Sequence, residues 1–226
     1  MVGKLIVIDG TDGSGKETQA KLLISNLENS GQGTTYFSFP RHGDPSAYAV
    51  DEYLNGRFGG ANDVNAYAGS IFYAVDRFAA SFDIKAALND GNFVICNRYV
   101  SANMGHQACK ISDLKKRDEF LGWLDDLEYG KIFHIPRPDL TIILYVPTVV
   151  AQALVDKKDH RDYLGGKRRD IHEDDKKHLD DAAEAFVYVA KKYGWTIINC
   201  APNNVMKSKE EIQKLVWLEV QKVLNK

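Results

Sequence analysis

"KLIVIDGTDGSGKETQ", residues 4–19, decides the fold. A short apolar run ends at Asp9 and passes into Gly10-x-x-x-x-Gly15-Lys16. Glycines let the backbone approach an anion closely, and the first N–H groups of the helix that follows point at it. A strand before the motif and a helix after it are the context that makes it a phosphate loop rather than a chance turn. The reading assigns nucleotide phosphates to Gly10, Thr11, Asp12, Gly13, Ser14, Gly15, Lys16, Glu17 and Thr18, with the Lys16 ammonium reaching the terminal phosphates. ATP-binding in this form normally places a serine or threonine after the lysine as a magnesium ligand. Glu17 occupies that position, and Thr18 comes one residue late. Magnesium takes oxygen ligands, keeps several waters and needs only one or two carboxylates, so Asp12 and Glu17 are the candidate ligands.

Outward from this motif, four more apolar runs read as buried strands: residues 34–39, 92–97, 140–146 and 195–200. Helical spacing separates them, as in Ala20, Leu23, Ile24 and Leu27, or Phe120, Leu121, Leu124 and Leu127. A longer helical pattern with two apolar faces runs from Ala68 to Phe82. Strands alternating with helices predict an α/β fold, a doubly wound five-stranded parallel sheet flanked by helices, with ligands at the carboxyl ends of the strands. The 226 residues read as a single domain. Residues 156–177, dense in charges of both signs around Gly165-Gly166, read either as a solvated surface loop or as a short lid.

Composition narrows the class. A net charge of −2 argues against a general nucleic-acid surface, and 44% hydrophobic with 27% charged residues is close to the average of soluble globular proteins. The run "LIVI" is too short for a signal-peptide core or a membrane span. Three cysteines without metal spacing give no disulfide framework, and a cytoplasmic location is expected.

The remaining loops carry "FPRHG" (39–43), "DRF" (76–78) and "NRYVSANMGHQ" (97–107). In this order and at these distances they resemble the thymidylate kinase family, of the phosphate-loop nucleoside monophosphate kinase type, over nearly the whole chain. The resemblance implies transfer of the γ-phosphoryl group of ATP to dTMP, with Mg2+, giving dTDP and ADP. It also implies a homodimer, and the apolar residues around Phe72, Ala79 and Phe82 of the long helix either supply its contact or are buried within the monomer. Guanidinium groups pair with phosphate in a forked geometry, and Arg41, Arg77 and Arg98 arise on three separate segments that can converge on one acceptor.

By the same resemblance Arg77 and Arg98 contact dTMP, Phe39 and Pro40 shape its pocket, and Arg41 lies beside its phosphate. Tyr73 matches the aromatic that stacks on the base, Asn103 and Gln107 the readers of base edge and sugar, and His106 a position where relatives often carry tyrosine. Asp12 matches the acidic loop residue toward the acceptor or the metal. Gly13 stands where one branch of the family has its catalytic arginine. The lid's Arg161, Arg168 and Arg169 then become the candidates for donor binding and catalysis beside Lys16 and Arg98, with Asp170 and Glu173 facing the acceptor. Asn97 replaces the aspartate of most relatives, so Glu17 either restores that charge near the metal or faces solvent while Asp12 alone anchors the ion. A deoxynucleoside kinase and a catalytically weak nucleotide-binding regulatory protein are the rival readings; the first needs a base for the sugar hydroxyl, and no residue matches one.

Overall fold

All five apolar runs form strands. A computed structural model describes residues 3–11, 13–60, 63–155 and 176–224. The chain runs β1 (Lys4–Gly10), α1 (Lys16–Asn29), β2 (Thr34–Ser38), α2 (Tyr48–Leu54), α3 (Ala66–Asn89), β3 (Phe93–Asn97), α4 (Val100–Ala108), α5 (Leu114–Tyr129), β4 (Leu140–Tyr145), α6 (Thr148–Val155), α7 (Lys176–Tyr193), β5 (Thr196–Asn199) and α8 (Lys209–Leu224). Every pairing is parallel, in the order β2-β3-β1-β4-β5.

Period-two alternation explains why the central runs are apolar throughout. Leu5 and Val7 of β1, with Val94 and Cys96 of β3, join the core under α3, α4 and α5. Ile6 and Ile8, with Phe93 and Ile95, join the opposite core with Ala20, Leu23 and Leu27 of α1 and Ile212, Val216 and Val220 of α8. Each fully buried side chain of this kind contributes roughly 1.5–3 kcal/mol relative to exposure. A one-residue slip in register would turn every one of them to the wrong face.

The winding positions the site. From β1 the chain crosses to one face through α1, and from β3 it crosses to the other through α4, so the ends of these adjacent strands splay into a crevice. Leu5 pairs with Val94 and Ile8 with Asn97, which sets the phosphate loop beside "NRY".

Helix α4 sits close against α7. A Cβ built on Gly105 would come within 2.7 Å of the Phe186 ring, where real Cβ atoms essentially never stand. Gly105→Ala therefore has to push a fully buried phenylalanine outward. The expected cost is about 1–3 kcal/mol, read as a lower urea midpoint with an unchanged slope; an unchanged midpoint would show that the two helices slide apart at no cost.

Candidate active site

The phosphate loop takes the shape its glycines allow. Gly10 (φ 137°) leaves β1 so close to the Leu144 carbonyl that no Cβ fits, and Gly15 (φ 84°) is the left-handed residue that opens α1. The Lys16 ammonium is buried within the loop, donating to the carbonyl oxygens of Gly10 at 3.1 Å and Thr11 at 2.8 Å. Ser14 Oγ is buried with no hydrogen-bond partner among the described residues.

Asp9, at the end of β1, ties this loop to α4. Its Oδ1 accepts from the Gly10 N–H at 2.8 Å and its Oδ2 from the Ser101 hydroxyl at 2.6 Å. Full burial raises the Asp9 carboxyl above the usual range, while Arg98, the Ser101 hydrogen bond and Lys16 pull against that rise. Across the crevice Arg98 adopts φ 65°, a left-handed conformation that costs a non-glycine residue of order 1 kcal/mol. Its N–H donates to the Ile8 carbonyl at 3.0 Å and its Nη1 meets His106 Nε2 at 3.0 Å. The His106 ring in turn stands edge-on to Phe186. Asn97 gives its Nδ2 to Ser38 Oγ at 3.1 Å, and its buried Oδ1 has no partner among the described residues.

The "DRF" motif serves two guanidinium groups. Asp76 is buried and takes the Arg41 N–H and Nε at 2.9 Å each. Arg77 is the largest fully buried side chain among the described residues, and Glu128 of α5 accepts its Nε at 2.6 Å and its Nη2 at 2.7 Å. Burial pulls the Arg77 guanidinium down, and the charge and hydrogen bonds of Glu128 more than reverse this. Glu128 Oε1 also receives Asn103 Nδ2 at 3.2 Å, and Asn103 Nδ2 reaches the Ser70 carbonyl at 3.1 Å. Gln107 is fully buried, lies against Gly69 of α3 and has neither carboxamide atom partnered among the described residues; Asn103 Oδ1 is likewise unpartnered. Phe39, joined to Pro40 by a cis peptide, is buried with its ring 5.8 Å from that of Tyr99. Tyr73 sits edge-on to Tyr53 at 6.4 Å.

The expected residues therefore divide. Lys16, Arg98 and His106 join through Asp9 and Ser101, while Arg77, Asn103 and Gln107 line the interface of α3 and α4 with Glu128 beneath. Glu17 stands apart on the exposed side of α1, its carboxylate 64% exposed and 2.7 Å from Lys21 Nζ. That placement gives no support to Glu17 as a magnesium ligand; the helix pairs it with the lysine one turn on. Asp12, Arg161, Arg168, Arg169, Asp170, Glu173 and residues 156–175 of the expected lid lie outside the described residues.

Asp9, Ser101, Asp76 and Glu128 were not read from the sequence as site residues. Glu128 did leave a signal. It falls four residues after Leu124 and seven after Leu121, on the apolar face of α5, where a carboxylate needs a buried partner.

This arrangement is that of the nucleoside monophosphate kinase fold class of phosphate-loop proteins. Residues 8–212 match the family profile described as thymidylate kinase, and the chain belongs to that family. It is 27% identical over 192 residues to the thymidylate kinase of Mycobacterium tuberculosis, covering 84% of this chain and 87% of the relative. Over 148 residues it is 31% identical to the probable thymidylate kinase of Pyrococcus horikoshii, covering 65% of this chain and 67% of that one. The solved structure of thymidylate kinase from Candida albicans superposes with a TM-score of 0.76 at 22% identity, over 99% of this chain and 93% of that one, which establishes a shared fold.

Exposed i,i+4 ion pairs contribute only about 0.3–0.5 kcal/mol. Glu17→Ala is accordingly expected to keep the wild-type dependence of rate on magnesium concentration, with a melting temperature nearly unchanged. A magnesium requirement shifted several-fold upward would return Glu17 to the metal environment.

Proposed function

We propose that the protein transfers the γ-phosphoryl group of ATP to the phosphate of dTMP, releasing dTDP and ADP. One observation carries this reading. Beside the phosphate loop, the wall formed by Arg77, Asn103 and Gln107 holds buried carboxamide atoms without partners among the described residues. Leaving such groups unpaired costs about 1–3 kcal/mol each. A base edge offering both a donor and an acceptor, as thymine does with N3–H and O4, satisfies them.

Positioning and charge stabilisation do the chemistry, because the acceptor phosphate is already a nucleophilic anion. Lys16 and the loop N–H groups hold the donor phosphates. Arg98 spans the crevice to the acceptor phosphate, with Arg41 set beside it by Asp76. Phe39 and Pro40 form the pocket wall and Tyr73 supplies the ring face for the base. Arg168 and Arg169 are the lid arginines we assign to the developing charge, with Arg161 at the donor and Asp170 and Glu173 toward the acceptor. Magnesium, when bound, neutralises phosphate charge and orients the donor. The oxygen donors fit it: Ser14 Oγ and Asn97 Oδ1 are buried beside the loop without partners among the described residues. We assign it to Asp12, with Asn97 holding a water of its shell.

We also infer a homodimer through α3. Ile71, Val75 and Phe82 are 44%, 42% and 61% exposed on one stripe of that helix, while Phe72 turns inward against Tyr53 and Phe58. An exposed apolar stripe of this length suits an isologous contact. Among the described residues no helix is long and apolar enough to cross a membrane. Burial raises the Cys96 thiol and pushes Cys200 up to about 12, so both are poor nucleophiles and suit the reducing cytoplasm we assign.

The direct test is a phosphoryl-transfer assay with ATP-Mg over a panel of nucleoside monophosphates, with thymidine as a control. dTMP is expected to be the preferred acceptor and thymidine inert; preference for another base defeats the assignment of Asn103 and Gln107. Gln107→Leu, which keeps the volume and removes the amide, is expected to raise the dTMP KM by about 10–100-fold with the ATP KM within about twofold. Val75→Asp is expected to give a monomer in sedimentation velocity, and a dimer that survives it places the contact elsewhere.

A further inference from the structure

We infer that Glu128 is a positioning residue for the acceptor base, acting through Arg77 and Asn103; the inference rests on the dTMP kinase reading of the site. Among the described residues its carboxylate accepts hydrogen bonds from both. Oε2 accepts Arg77 Nε at 2.6 Å, and Oε1 accepts Arg77 Nη2 at 2.7 Å and Asn103 Nδ2 at 3.2 Å. Arginine and carboxylate thus meet as two parallel hydrogen bonds, a geometry that fixes the guanidinium plane as well as its position. Both side chains are all but sealed from water, at 2% and 0% exposure, so water cannot take the place of either partner.

Two consequences follow for the acceptor. With Nε and one Nη2 hydrogen committed to Glu128, Arg77 has Nη1 and the other Nη2 hydrogen left to offer. The guanidinium therefore presents one edge, in one plane, to whatever binds. Asn103 is oriented in the same way: its amide nitrogen is held by Glu128 and Ser70, and its buried oxygen is the atom left without a partner among the described residues. Glu128 thereby decides which end of the Asn103 carboxamide reads the ligand.

The second consequence is electrostatic. An uncompensated guanidinium in a dry site would favour an anion over a neutral base. Pairing with Glu128 cancels that charge, so Arg77 reads an uncharged carbonyl edge while the acceptor phosphate is left to Arg98. A single carboxylate on α5 in this way separates base reading from phosphate binding.

The test uses the full-length protein and two variants. Glu128→Gln is isosteric, removes the charge and sets an amide N–H against the Arg77 donors; Glu128→Asp keeps the charge but withdraws it by one methylene. For Glu128→Gln the dTMP KM is expected to rise about 10-fold or more, with kcat and the ATP KM within about threefold, and the preference for dTMP over dCMP to fall about 10-fold. Glu128→Asp, which retains the charge balance needed to fold, is expected to raise the dTMP KM by about threefold or more, and calorimetric titration with dTMP should follow the same order. A role confined to stability would lower the melting temperature and leave the dTMP KM and base preference at wild-type values; that result in Glu128→Asp overturns the inference, whether or not Glu128→Gln folds. A wild-type protein that does not phosphorylate dTMP would instead overturn the reading of the site itself.

Discussion

The Asp9 carboxylate is the interaction on which the rest of the site depends. It stands at the last buried turn of the central strand, and each oxygen has a different client: the Gly10 N–H, where the phosphate loop begins, and the Ser101 hydroxyl on α4. Burying a carboxylate is unfavourable by several kcal/mol unless hydrogen bonds and opposite charge offset it. Here two hydrogen bonds and the nearby charges of Lys16 and Arg98 act together against desolvation. The phosphate loop and α4 are held in one register because separating them would leave that carboxylate short of partners.

The same logic sets the arginines. A long side chain loses up to about 2 kcal/mol of rotamer entropy on being fixed, and a ligand that has to order three of them binds correspondingly less well. In this chain the ordering is done by folding. Asp76 fixes Arg41, Glu128 fixes Arg77, and the Ile8 carbonyl and His106 hold the backbone and side chain of Arg98. The left-handed backbone at Arg98 is a small cost that the surrounding contacts over-determine, and its guanidinium meets His106 of α4 beside the switch between β1 and β3.

Legibility in the sequence followed how each element is stabilised. The strands were readable because a sheet covered on both faces needs uninterrupted apolar runs, and "LIVI", "FVIC" and "TIIL" supply them. Helix α4 was not readable as a helix. Its inward positions include Ser101, Asn103 and Gln107 as well as Val100, Met104 and Ala108, so no apolar period of 3.6 emerges. The residues that hid the helix are the ones that equip the site. The "NRY" and "DRF" arginines were visible, but the carboxylates that hold them were not, because Asp76 looked like part of a motif and Glu128 like one more acid in "DDLEYG". Phe72 packs against Tyr53 and Phe58 while Phe82 is exposed, a division the sequence left open because a helix with two apolar faces does not say which one the protein itself covers.

Two departures from the family pattern, Glu17 and Asn97, looked like one exchange of negative charge around a metal. Their surroundings separate them. Glu17 is satisfied on the surface by Lys21, and moving its carboxylate into the loop would give up a solvated ion pair for a partly desolvated one. Asn97 is anchored through Nδ2 to Ser38 at the edge of the crevice, with a buried oxygen left over, which suits a neutral acceptor for water rather than a charge. Its pairing with Lys21 gives Glu17 no visible part in restoring the negative charge that an aspartate would have placed at position 97. Register sets Asn97 beside Ile8, so its side chain leaves the sheet on the opposite face from Asp9, which is bound to Ser101 of α4. The two departures therefore belong to separate surroundings, one on the solvent side of α1 and one at the sheet end against β2.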